Sequence, residues 1–460
     1  MGQTLARVWR WTATSWGRAW AVVGTVVLLS SGQGFRYLLG VPGYAALVLA
    51  GVGAVAIAFR RRLHRVRVPL LVGSFVGLAA VSVLWSATRA VTLVATVVLV
   101  VTTAVALVIQ KGTSRGQFLA YLYRGLQVSL FGGLLFELYV SLVLREPLPR
   151  LSTDLADLAR VDPGAFYPWS ENRLFTGGPI QGFVGNRNTF DSIALLVAIV
   201  AVVLLLERRI RRLDGFGTLA AAGLVHALTL SATVTIAALY VAALGAAALV
   251  IRRSAPGTKR VLSFGVLACT AIAAVITIKF RAEIFELFDR GADATHRIDI
   301  WDQVIEHAMQ RPEGWGYVAY WPVWQEPYRG IVESVGVIAP HGHNAFLDTW
   351  LQLGLIGLAL LLAIVTLTFG SGWRLVERAS EGDTYIPLAW VLLTAAMSLE
   401  ALAESRMLVE LGWFLLIVLY CSGPQAFTLT VVDPELVRTG EPPDEPVDDD
   451  PVMVLSDRLR

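Results

Sequence analysis

Charge is what this chain has least of. Only 16% of its 460 residues are Asp, Glu, Lys or Arg, against 55% hydrophobic, a balance that excludes an ordinary set of soluble domains. Lysine is nearly absent (Lys111, Lys259 and Lys279), so cationic work falls to arginine. The two cysteines, Cys269 and Cys421, both lie inside apolar runs, which argues against a disulfide framework. A nucleotide-binding glycine loop is missing, as is any His/Glu or Cys spacing of a zinc site. No cofactor, no metal and no nucleic-acid partner is therefore expected. Apolar–polar alternation is missing too, and solid blocks of Ala, Val and Leu do not make a transmembrane β-barrel.

What is present is a series of apolar runs near the length that crosses a bilayer. The expected fold is an all-α polytopic membrane protein of about 12 transmembrane helices. The spans fall near 17–31, 43–59, 68–86, 90–109, 117–144, 188–206, 215–230, 233–251, 261–279, 345–369, 385–402 and 408–423. The stretch "RVWRWTATSWGRAW" before the first run reads as the flank of a retained anchor. The basic loops 60–67, 208–212 and 252–260 share one side in this count, which the positive-inside rule makes the cytoplasm, with both termini on that side. Two long polar segments, about 145–187 and 280–344, remain outside. The second holds "THRIDIWDQVIEHAMQRP", whose Ile298, Trp301, Val304 and Ile305 share a helical face, with Met309 a further turn on and Pro312 as a stop. Residues 1–423 form the expected membrane domain, and the acidic, proline-rich 424–460 a disordered cytoplasmic tail.

Two helix starts collect polar residues at the outer face. In "GFVGNRNTFDSIALLV", Asn188 suits an N-cap, with Asp191 three residues on in capping-box fashion and Arg187 alongside. In "PHGHNAFLDTWLQLGLIG", Asn344 suits a second cap, with His341 and His343 before it and Asp348 in the first turn. Helix N-termini present free N–H groups and partial positive charge, so this pair is a candidate anion site. Arg297 opens the helix of the second loop. The turn that follows, "RPEGWGYVAYWPVW", offers Trp315 and Tyr317 either to an interfacial aromatic belt or to the apolar faces of sugar rings. Titratable residues inside the apolar runs are scarce, Glu137, His226 and Glu400 among them, with Glu404 near a helix end. Such groups are costly in a membrane and functional by default.

Three segments, in order, resemble the bacterial O-antigen ligases and the related O-antigen and exopolysaccharide polymerases. "GNRNTFDSIALL" is similar to a Gly-Asn-x-Asn helix opening. "RIDIWDQVIEHAMQRPEGWGY" is similar to an Arg-x-x-x-Trp segment running into a Gly-x-Gly turn. "HGHNAFLDTWLQLGLIG" is similar to a His-Asn-x-x-Leu segment leading to Gly-Leu-x-Gly. One departure is Gln352, where the family commonly has glutamate. The resemblance implies transfer of a glycan from an undecaprenyl-diphosphate-linked donor to a hydroxyl of a glycan or glycolipid acceptor. The reaction would lie at the outer face of the bacterial cytoplasmic membrane, inverting and metal-independent. It implies His343 and Arg297 as catalytic residues, and a second arginine that is either Arg173 or Arg187. His341, Asn188, Asn344, Trp315 and Tyr317 would line the substrate.

The chemistry suits the residue types. Outside the cytoplasm the donor must arrive already activated. Its diphosphate leaving group gains negative charge as the C–O bond breaks, and guanidinium groups and helix N-termini stabilise that charge. A histidine can take the acceptor's proton. Ligase and polymerase differ only in acceptor, and both readings stay open. A transporter, the remaining alternative, should show related halves and broken helices meeting at mid-membrane; the polar candidates here gather at one face.

Overall fold

The computed structural model describes residues 15–152, 168–279, 293–336, 339–380 and 382–423. The expected acidic tail lies outside them, as do parts of both polar segments. The described chain is helical, and its only β pairing is an isolated bridge between Leu148 and Ser170.

Each apolar run is a helix. In chain order they are α1 (Ser15–Ser30), α2 (Gly32–Ala58), α3 (Leu70–Val81), α4 (Arg89–Gly112), α5 (Arg115–Tyr139), α6 (Arg187–Leu206), α7 (Arg212–Thr229), α8 (Ala232–Arg253) and α9 (Pro256–Lys279). The loop helices α10 (Asp293–Gln310) and α11 (Tyr328–Val335) follow, and then α12 (Ala345–Arg378), α13 (Ile386–Ala401) and α14 (Glu410–Cys421). Among the described residues, six helices are long and apolar enough to cross a membrane: α2, α4, α5 with its π-helical extension to Leu144, α6, α8 and α12. Four apolar helices are shorter, among them α13 and α14. At about 1.5 Å per residue a 16-residue helix falls short of a bilayer core of roughly 30 Å. The protein is therefore an all-helical integral membrane protein.

Local chemistry sets the boundaries. Ser114 opens α5 with a reciprocal capping box to Gln117, which satisfies two otherwise orphaned N–H groups. Gly40, at φ +71° and two residues before Pro42, breaks α2, as expected where proline removes a donor. Two of the shorter apolar helices, α13 and α14, are central. Helix α14 is buried almost throughout, apolar on all sides as an interior helix should be, and the Trp413 indole N–H donates to Thr103 Oγ1 at 2.8 Å. Around it, α13 packs on α6, α8 and α12, while α4 packs on α14.

Helix α10 ends at Gln310, as Pro312 requires. Its buried face is Ile300, Val304 and Ala308, with Trp301 beside it; Met309, expected to continue the stripe, is 70% exposed. Val304 and Trp301 thus lie on the expected face, while Ile300 and Ala308 rather than Ile298 and Ile305 complete it where α10 packs on α12.

Candidate active site

Helix α12 begins as its sequence indicates. Asn344 caps it, its Oδ1 accepting from Phe346 and Leu347 N–H at 3.0 and 3.1 Å, and its Nδ2 donating to the Leu402 carbonyl in the loop after α13. Asp348, in the first turn, is fully buried and receives three donors: the Trp321 indole at 2.8 Å, the Gln352 amide at 2.8 Å and the Gly342 N–H at 3.3 Å. The last of these ties the His-Gly-His loop to the helix. A Cβ at Gly342 would stand 3.2 Å from Trp321, so glycine suits this close approach. Gln352 is also fully buried, its oxygen accepting the Val318 N–H at 2.9 Å. Here an amide does what a carboxylate would do poorly: it donates to Asp348 and accepts from backbone at once. A glutamate would set two carboxylates against each other.

Helix α12 then breaks at Gly354, φ +64°. The break leaves the Leu351 and Gln352 carbonyls free for the 314–316 turn, and Trp315 and Gly316 N–H donate to them at 2.9 and 2.8 Å. Two of the sequence segments thus exist to fit each other. A Cβ at Gly354 would lie 1.9 Å from the Pro312 carbonyl oxygen. We expect Gly354→Ala to cost about 3 kcal/mol, from a left-handed backbone and a backbone clash. Thermal unfolding of the purified variant checks this; an unchanged midpoint would contradict the docking.

The other helix start is corrected. Asn186, not Asn188, is the N-cap of α6, accepting from Thr189 N–H at 3.0 Å. Asp191 is no capping partner either: it is buried and both its oxygens lie 3.0 Å from His226 Nδ1. The asparagine two residues earlier takes the cap because Gly185, at φ +70°, turns the chain there. Asn188 is freed to reach sideways: it donates to Glu404 at 3.0 Å and accepts from Ser231 Oγ at 2.9 Å.

Glu404 is where the elements meet. Its Oε1 receives Asn188 from α6 and Arg297 from α10, the latter at 3.1 Å. Its Oε2 faces His343 Nδ1 at 3.5 Å and His341 Nε2 at 3.7 Å. The side chain is 6% exposed. Burial alone would raise its pKa, but His343, Arg406 and His341 outweigh burial and hold it well below the usual carboxylate range, so the group is an anion. Glu404 was visible in the sequence only as a scarce charge at the end of an apolar run, with nothing to say that it collects the other residues.

The two histidines differ. Their rings meet edge to face, centroids 4.3 Å apart. His341 Nδ1 accepts the His343 N–H at 3.2 Å, so a neutral His341 carries its proton on Nε2, toward Glu404. Burial first, then His343 and the nearby arginines, lower its pKa to about 3. His343 has a left-handed backbone, φ +47°, uncommon outside glycine and typical of strained functional loops. Its Nδ1 is buried with no full hydrogen bond, facing only the carboxylate. If that nitrogen carries the proton, Nε2 is left as a basic atom.

His341, His343 and Glu404 are spaced as three potential metal ligands. The donor set fits a cation poorly. His341 Nε2 carries the proton in the arrangement above, and Glu404 is already held by Arg297 and Asn188.

Arg406, which the sequence reading missed, donates from Nε to Glu400 at 2.7 Å and also contacts Thr189 Oγ1 in the first turn of α6. Of the other expected residues, Arg187 lies in that same turn. Arg173 pairs with Glu171 at 2.7 Å and is half exposed. Trp315 donates to the His307 carbonyl and lies under Arg311. Tyr317 is a core residue, 2% exposed, its hydroxyl donating to the Leu408 carbonyl; no ring face is open to a sugar. Glu137 anchors a loop through Gln181 and Gly182 N–H and the Ser170 hydroxyl.

The lowered His341 pKa makes stability pH-dependent. Between about 3 and 6.5 the unfolded chain binds a proton that the folded chain refuses, so stability falls as pH drops through that window. From pH 6.5 to 5 this amounts to about 2 kcal/mol. Unfolding midpoints in lipid nanodiscs should fall accordingly, and His341→Gln should flatten the slope. Equal slopes would contradict the assignment.

Comparison with known proteins covers part of the site: Arg297, His341, His343 and Asn344 lie within the matched residues, Asn188 and Glu404 outside them. Residues 217–362 match the family described as O-antigen ligase. Over 211 residues the chain is 30% identical to the exopolysaccharide production protein ExoQ of Rhizobium meliloti (strain 1021), covering 43% of this chain and 47% of that protein. The match thus spans about half the length of that relative. The family resemblance read from the sequence stands.

Proposed function

We propose, with the O-antigen ligase family match as premise, that the chain is a membrane glycosyltransferase. It would move a glycan from an undecaprenyl-diphosphate carrier to an acceptor hydroxyl at the outer face of the bacterial cytoplasmic membrane. The observation that carries this reading is the convergence of His343, Arg297 and Asn188 on the single buried carboxylate of Glu404. In the accompanying topology about twelve helices span the bilayer, both termini are cytoplasmic, and the segments around 145–187 and 280–344 are extracytoplasmic.

In this mechanism the acceptor O–H proton passes to His343 as the new bond to the anomeric carbon forms. The bond from that carbon to the diphosphate oxygen breaks on the opposite face, which inverts the centre. Glu404 holds the imidazole and offsets the positive charge it gains, the usual part of a carboxylate beside a catalytic histidine. Arg297 has five donors, enough to hold Glu404 along one edge and a departing diphosphate along another. Arg187 and the start of α6 would add to that anion site, and Arg173 remains a candidate at its rim. No step requires a metal.

A second reading, polymerisation of the glycan on its lipid carrier, is favoured by the similarity to an exopolysaccharide production protein. Incubating membranes that contain the protein with an undecaprenyl-diphosphate glycan and candidate acceptors tests both. A single-step product supports ligation and a ladder supports polymerisation. Absence of any transferred glycan, with carrier and acceptors shown to be intact, would refute both.

A further inference from the structure

One helical turn from Glu404 the bundle contains a cavity of about 60 Å³. It lies among the ends of α1, α6, α13 and α14, the same end of the bundle as His343. Its polar lining is Ser30, Thr189, Ser192, Glu400, Arg406 and Glu410, and its walls are aliphatic, Leu196 and Leu415 among them. It has room for roughly four water molecules, or for part of one sugar ring. Glu400 accepts from Ser192 Oγ at 2.8 Å and from Arg406, and its carbonyl accepts the Glu404 N–H at 2.8 Å. Glu410 has a left-handed backbone, φ +48°, and is held from behind by Arg36. The Arg36 guanidinium in turn lies 5.2 Å from the Tyr44 ring and 5.7 Å from the Tyr320 ring.

The lining selects a ligand class. Arg406 is engaged by Glu400 and Thr189, and Arg36 by Glu410, so the charges are matched in pairs and neither guanidinium is left to hold a diphosphate. Carboxylates accept strongly from hydroxyl groups, and aliphatic walls suit the C–H face of a ring. Buried charges of this kind in a membrane protein are costly unless used. We propose that this cavity is a sugar subsite that receives one hydroxyl-bearing edge of a neutral ring beside the His343–Glu404 centre. The inference rests on the glycan-transfer reading. The ring belongs either to the donor's first sugar or to the acceptor.

Saturation-transfer NMR on the purified full-length protein in nanodiscs tests this, with glucose, galactose and mannose as probes and glucuronate as anionic control. At least one neutral hexose should bind and glucuronate should not. Ser192→Phe, which fills the cavity, should abolish the signal. Glu410→Gln, isosteric and thus informative even where the larger substitution does not fold, should weaken binding about tenfold through loss of a charge-assisted hydrogen bond. His343→Ala should leave binding intact. Displacement of the hexose by a short-chain prenyl-diphosphate hexose assigns the subsite to the donor; displacement by free oligosaccharide alone assigns it to the acceptor. Absence of signal from every neutral hexose, equal signal in Glu410→Gln, or equal binding of glucuronate overturns the proposal. Because binding is read without transfer, a failed subsite and a failed transferase are told apart.

Discussion

Replacing His343 by alanine is expected to lower glycan transfer about 10²–10⁴-fold, the usual contribution of a positioned general base, while folding and membrane insertion are preserved. The structure gives two reasons for so uneven an outcome. His343 is about a quarter exposed, and its imidazole meets only the long 3.5 Å approach to Glu404 and the edge of the His341 ring, so little packing is lost. Its left-handed backbone is a strain that alanine bears no worse. The loop is held independently by Gly342 on Asp348 and by the Asn344 cap. Quantitative transfer in membranes, normalised to protein inserted, measures the effect. Near-normal transfer would remove His343 from the reaction.

Substitution of Glu404 should be costly in two separable ways. Glu404→Ala leaves Arg297, itself only 16% exposed, without its carboxylate. Breaking a buried pair from one side costs about 3–5 kcal/mol, so expression and unfolding midpoint should both fall. Glu404→Gln keeps the shape and leaves an oxygen for Arg297 and Asn188. It removes the charge that offsets an imidazolium, so most of the protein should fold while transfer falls about 10²-fold. A Gln variant as active as the parent would reduce Glu404 to a structural tie. A variant equally inactive but unfolded would leave His343→Ala to carry the test of the chemistry.

The sequence made the helices legible because each is a solid apolar block, and a helix is the only open-chain way to satisfy backbone polar groups in lipid. Which of them reach across a membrane by themselves was less legible: α13 and α14 are short because the ends that face each other give way to the loop that carries Glu404 and Arg406. Asn344 announced its cap correctly, since no competing asparagine stands two residues earlier. At Asn188 one does, and local spacing does not tell a cap from a side chain that reaches another element. Tyr317 read as surface because its neighbours are aromatic and polar; only the docking of the 314–316 turn into the break at Gly354 puts it inside. Glu404 is far in sequence from every residue it gathers, so no local pattern points to it.

The most direct test of the central claim uses purified protein with a defined undecaprenyl-diphosphate glycan, following release of undecaprenyl diphosphate with and without an acceptor, in wild type and His343→Ala. The account predicts release that depends on acceptor, matches the glycan transferred one for one, and is lost in His343→Ala. Release that persists in the variant, or that without acceptor gives free glycan rather than a ladder on the carrier, would contradict it.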